Sequence, residues 1–200
     1  MRTLLRRAVL LVALTLAYNM IEAGVALWAG LAAGSVALLG FGLDSVIELA
    51  ASAVLLWRLS VEMRGGGGER VETAERRSRR FVGLTFLALT AYVAVESILT
   101  LVSGDHPRGS FEGIVLAAFS LVAMPALAWA KLRTARRLRS RALEAEAKET
   151  IACAYLSFAL LLGLVLNLAA GWWWADPVAA LAMVPWLLRE GVEGVRGDVD

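Results

Sequence analysis

The feature that most constrains this chain is a series of six apolar segments, at about 8–31, 36–59, 81–103, 113–131, 150–170 and 176–195. Each approaches or exceeds the roughly 20 residues that an α-helix needs to cross a bilayer. A spanning backbone must satisfy its own N–H and C=O groups, which a helix does within one segment. The expected fold class is therefore all-α: a polytopic membrane protein of six transmembrane helices, with residues 1–200 forming a single transmembrane domain. Hydrophobic residues fill 59% of the positions, against about 45–50% in soluble domains. A chain this short has too little interior to bury that excess. The run from Ala8 is longer than the about 7–15 residues of a signal-peptide core. It also carries Asn19 and Glu22, and so reads as a retained first helix.

Positive charge is distributed unevenly. Arg2, Arg6 and Arg7 precede the first segment, and Arg58, Arg64, Arg70, Arg76, Arg77, Arg79 and Arg80 flank the link between the second and third. Lys131, Arg133, Arg136, Arg137, Arg139, Arg141 and Lys148 flank the link between the fourth and fifth, and Arg189 and Arg196 lie near the end. With six spans all of these fall on one side of the membrane, and only Arg108 falls on the other. The positive-inside rule makes the crowded side cytoplasmic, with both termini there. The Arg- and Ala-rich composition is in keeping with a GC-rich bacterial genome, and the expected location is a bacterial inner (plasma) membrane. Net charge is only +2, which gives no global field for nucleic acid. Cys153 is the sole cysteine, so no intramolecular disulfide can form.

The links carry their own signals. Residues 63–78 hold Gly65-Gly66-Gly67-Gly68 among mixed charges and read as a flexible, solvated link. Residues 131–149 set Leu132, Leu138 and Leu143 among Arg and Ala, and are expected to extend the fourth and fifth helices beyond the membrane. Trp172, Trp173 and Trp174 suit the headgroup level at the outer boundary. Asp176-Pro177 then suits a helix start, with Asp as N-cap and Pro in the first turn. His106 reads as an ordinary loop residue.

The chemistry lies in acids set inside apolar runs: Glu22, then Asp44 and Glu48, then Glu96, with Glu149 and Cys153 opening the fifth segment. An acid at the bilayer centre costs at least about 2.5–3.5 kcal/mol on insertion scales, so such groups normally face the bundle interior and have a task. The first five segments hold no central Lys or Arg to neutralise them, and Arg189 and Glu190 pair or snorkel near the inner end of the last. Protonation or a bound cation is what is left. Asp44 and Glu48 are four apart, one helical turn, on one face. Two like charges so close in low dielectric cannot both ionise without a partner. Glu149 and Cys153 repeat that spacing, and the two pairs together give four O and S donors suited to Zn2+. Carboxylates also accept Mn2+, Fe2+ or Co2+. The blander readings are protonated acids hydrogen-bonded to neighbouring helices and a cysteine that merely packs. Glu22 and Glu96 are each open to three roles: accessory ligand, proton carrier or interhelical hydrogen bond. Asn19 reads first as interhelical glue and second as an accessory ligand.

These residues, in this order, resemble the cation diffusion facilitator family over most of the chain. Ser35-Val36-Ala37-Leu38-Leu39 followed by Leu43-Asp44-Ser45-Val46-Ile47-Glu48 is similar to the family's end of helix 1 and the metal motif of its helix 2. Ser140-Arg141-Ala142-Leu143-Glu144-Ala145-Glu146 resembles the approach to the fifth helix, and Ala175-Asp176-Pro177 the entry to the sixth. In that register the family's His falls on Glu149 and its Asp on Cys153. Glu48 also stands where the family has Asp, so the site has no His. The resemblance is to the short, tail-less branch without the cytoplasmic C-terminal domain. It implies a homodimeric, proton-coupled exporter of Zn2+ or a similar ion, in which helices rock and carboxylates exchange protons for metal.

Two rival functions stand beside this. One is a non-transporting membrane partner that modulates a channel or receptor, which would show association without flux. The other is a proton-coupled carrier of organic cations with the acids as counter-ions, which direct metal titration would separate. No nucleophile–base constellation or phosphate loop points to an enzyme, and no cofactor is implied beyond the transported ion.

Overall fold

The computed structural model describes residues 2–63 and 69–196. They form six helices: α1 (Arg2–Ala33), α2 (Val36–Met63), α3 (Glu69–Ser103), α4 (Phe111–Leu138), α5 (Arg141–Ala170) and α6 (Ala175–Arg196). There is no strand among the described residues. Five helices are long and apolar enough to cross a membrane. The last, α6, has 22 residues, or about 33 Å at 1.5 Å per residue, which also matches the hydrocarbon thickness. It is less uniformly apolar because it carries Asp176, Arg189, Glu190 and Glu193. The chain is thus an all-helical polytopic membrane protein. Large apolar side chains point outward along it, Leu31, Val102 and Val122 among the most exposed. That is the surface a bilayer covers.

Most helices run past the expected spans. α4 and α5 extend through the 131–149 stretch and meet at a link of two residues, as the sequence leads one to expect. There Arg139 takes a left-handed conformation (φ 54°), and Ser140 caps α5 by accepting from the Leu143 N–H. The expected flexible link at 63–78 is shorter than anticipated, because α3 already begins at Glu69. Gly65-Gly66-Gly67-Gly68 lies outside the described residues.

The closest helix pairs are α1 with α2, α4 with α5 and α3 with α6. Gly83 makes the last pair possible: a Cβ there would sit 2.6 Å from the Val195 backbone nitrogen. We call the end where α1 begins and α2 and α4 finish the base, and the opposite end the crown. A large apolar core built around Phe41, Met124, Leu160 and Met183 fills the bundle. A second cluster, with Leu5, Val12, Leu55, Leu59 and Leu143, closes the base.

The crown is held by polar contacts between links. The Arg108 N–H donates to the Ala33 carbonyl at 2.8 Å, and Asn167 Nδ2 to the Pro107 carbonyl at 3.0 Å. Trp173 stacks on His106 at 5.1 Å, and Trp172 on Trp174 at 5.2 Å. Trp172 and Trp174 are partly exposed, as boundary anchors are. Asp176 departs from the expectation that it caps α6. That helix starts one residue earlier, and the buried carboxylate reaches across to α2 instead. It accepts from Ser35 Oγ and from the Ala37 N–H, while Ser35 Oγ itself accepts from the Leu38 N–H. The reason is local: both helices begin at the crown, and an anion is favoured beside the free N–H groups of either start. Asp176→Ala strips buried donors of their acceptor and should cost about 1–3 kcal/mol. Thermal melting in detergent checks this; an unchanged midpoint would show that the cross-helix cap contributes nothing.

Candidate metal centre

Three helices bring donors to one point near the middle of the bundle. Glu22 of α1, Glu48 of α2 and Cys153 of α5 each offer a ligand atom, and these atoms all lie within 4.8 Å of one another. Glu22 and Cys153 are fully buried and Glu48 is 7% exposed. Cys153 Sγ is 3.9 Å from Glu22 Oε2. Donors at about 2.0–2.3 Å from a tetrahedral ion sit roughly 3.3–3.8 Å apart, so small side-chain adjustments would close this trio on a cation.

Each donor is held from behind. Glu22 accepts from Ser45 Oγ at 2.9 Å and from Ser120 Oγ, the latter reaching in from α4. Tyr18 Oη lies 2.6 Å from Ser120 Oγ. With the Ser120 proton directed at Glu22, the phenol is the donor in that contact. Glu48 Oε2 accepts from Asn19 Nδ2 at 3.0 Å, which leaves Asn19 Oδ1 buried and without a hydrogen-bond partner among the described residues. These neighbours orient the carboxylates much as outer-shell groups orient metal ligands generally.

The residues singled out from sequence are thus distributed as follows. Glu48 and Cys153 converge, and they converge with Glu22, one of the residues expected to be accessory. Asn19 is the hydrogen-bond donor to Glu48. Asp44 is buried one turn toward the crown from Glu48, and Glu149 is half-buried one turn toward the base from Cys153. Neither belongs to the group within 4.8 Å. Both still bear on the centre electrostatically: Glu149 acts on Asp44 and on Glu48, and Asp44 is also influenced by Glu22 and Glu190. Glu96 lies on α3, half-buried and outside the trio.

Two features escape a reading by segment alone. The serines that hold Glu22 come from α2 and α4, and single serines in apolar helices carry little signal. The expectation that the first five segments hold no central Lys or Arg concerns their middles; nearer the base an interior cation does occur. Lys131, placed by sequence in a cytoplasmic flank, is fully buried and lies 3.1 Å from Glu146. It is drawn in because α4 and α5 stay paired below the apolar span. Arg189, in contrast, pairs with Glu193 at 2.6 Å and lies over the Trp186 ring, on the surface.

Residues 12–197 match the cation efflux transmembrane domain. The chain belongs to the cation efflux family. This is the cation diffusion facilitator family to which the ordered motifs point, and its members transport cations across membranes. The chain is also similar to an uncharacterized transporter of Synechocystis sp., at 28% identity over 182 residues, covering 86% of this chain and 59% of the relative. The chain therefore spans somewhat over half the length of that relative.

A buried, sole thiol gives a direct check on the geometry. Cys153 should react with a maleimide at least roughly tenfold more slowly in the folded protein than in the denatured chain. Equal rates would show that the centre is open to solvent.

Proposed function

We propose that this cation efflux protein is a proton-coupled exporter of a divalent metal, with Zn2+ as the best-fitting ion. The observation that carries the reading is the convergence of two carboxylates and one thiol from three helices inside a closed bundle. One soft and two hard donors form a mixed set that Zn2+ accepts readily. Asp44 and Glu149, one turn to either side on α2 and α5, complete the coordination as the helices move. The four residues Asp44, Glu48, Glu149 and Cys153 then act as the ion's path through the middle of the membrane, with Glu22 as a fifth donor from α1.

Metal ligands must be deprotonated to bind, so loading releases protons and acid drives unloading. Two carboxylates and a thiol, compensated in the empty state by protons, become compensated by the ion. Transport follows if the centre opens to one side at a time. Apolar packing above it, with Phe41 and Leu160, and below it, with Leu55, Leu59 and Leu143, supplies two barriers that part alternately. The basic residues flanking the base favour a cytoplasmic base in a bacterial plasma membrane, with loading there. The homodimer rests on the family resemblance.

Calorimetric titration with Zn2+, with proton release followed by a pH dye, tests this on the detergent-purified protein. The wild type should bind with release of protons, and Glu48→Gln should lose binding. Ser120→Ala, which removes a support of Glu22, should weaken binding about 10–100-fold. In proteoliposomes Asp44→Ala should abolish zinc flux, while Glu48→Asp should retain it. Full flux by Asp44→Ala together with undiminished binding by Glu48→Gln would remove the centre from transport.

A further inference from the structure

A second buried polar cluster lies between the centre and the base and takes no part in the trio. Lys131 Nζ lies 3.1 Å from Glu146 Oε1 and donates to Thr150 Oγ1 at 2.9 Å. Ser52 Oγ donates to the same Glu146 oxygen at 2.9 Å. Thr150 Oγ1 donates in turn to the Glu146 carbonyl at 2.9 Å. All four side chains are more than nine-tenths buried. Glu146 Oε2 is buried as well, and has no hydrogen-bond partner among the described residues.

The placement follows the helices that build the centre. Ser52 is one turn beyond Glu48 on α2, and Thr150 and Glu146 are three and seven residues before Cys153 on α5. At 1.5 Å per residue the cluster sits roughly 5–10 Å below the trio. The apolar plug of Leu55, Leu59 and Leu143 lies beyond it. An ion moving between the centre and the base has to pass this level. What it meets there is a carboxylate with one oxygen unfilled, two hydroxyls, and an ammonium already seated among them. Carboxylate and hydroxyl oxygens are the kind of donors that hard cations take.

We propose that Glu146, Ser52 and Thr150 form a second cation station, held shut by Lys131. The ammonium is a tethered stand-in, and a divalent ion travelling through the base half of the bundle passes by displacing it from Glu146. Both oxygens of Glu146 then serve the ion, and the ammonium turns toward the base and the solvent there. When the ion has moved on, Lys131 returns and reseals the layer against back-flow. This inference rests on the transport reading above and adds to it an obligatory waypoint.

The test counts ions. Zn2+ alone is titrated into the full-length protein in detergent, with the fold checked by circular dichroism. The wild type should bind one ion, Lys131→Gln two, and Lys131→Gln combined with Glu146→Gln one again. Lys131→Met, unbranched and of similar reach, should match Lys131→Gln and guards against one variant misfolding. One ion in folded Lys131→Gln or Lys131→Met would overturn the station while leaving the centre intact. No binding by the wild type would sink both readings. Glu146→Gln with Lys131 retained gives a separate check: affinity for the single ion should stay within about threefold, while flux into vesicles falls at least about tenfold. Unchanged flux in that variant would overturn the proposal.

Discussion

The carboxylates of Glu22 and Glu48 lie deep in a helical bundle whose outer surface is apolar enough for lipid. A buried carboxylate without a compensating charge or proton is strongly unfavourable, and hydrogen bonds alone offset only part of that. Much of the local architecture answers to this constraint. Ser45, Ser120 and Tyr18 arrange donors around Glu22, and Asn19 donates to Glu48. The helices that supply these groups, α1, α2 and α4, are tied together at mid-height by the same contacts. On the proposed reading, a divalent cation and a small number of protons would be interchangeable ways of satisfying this one set of acids.

Closure at both ends follows a different logic. The crown is fastened by links that reach over one another, with Asp176 capping a helix that is not its own. The base is fastened by apolar packing and by the buried pair of Lys131 with Glu146. The contacts that join the links at the crown thus differ in kind from those that close the base.

Much of this was legible in the sequence, for identifiable reasons. Apolar runs of bilayer length leave one backbone solution, so the helix count and the short turn at Gly34 and Ser35 were readable directly. The four-residue spacing of Asp44 and Glu48 put both on one face, and Cys153 could be matched to Glu48 through the ordered motifs. What could not be read was rotation and depth. Glu22 enters the trio because α1 turns that face into the bundle against α2 and α4, while the face bearing Met20 and Ile21 points outward. Glu149 precedes Cys153 by one turn and sits partly exposed beneath the group, because antiparallel helices align one residue of such a pair better than the other. Lys131 was invisible as an interior group because its neighbours in sequence, Arg133 and Arg136, are surface cations.

The central claim is that one divalent ion sits between Glu22, Glu48 and Cys153. X-ray absorption spectroscopy on the Zn2+-loaded protein tests it most directly. The account predicts one sulfur neighbour at about 2.3 Å with the remaining neighbours oxygens at about 2.0–2.2 Å, and loss of the sulfur shell in Cys153→Ser. A spectrum with oxygen neighbours alone in the wild-type protein would contradict it.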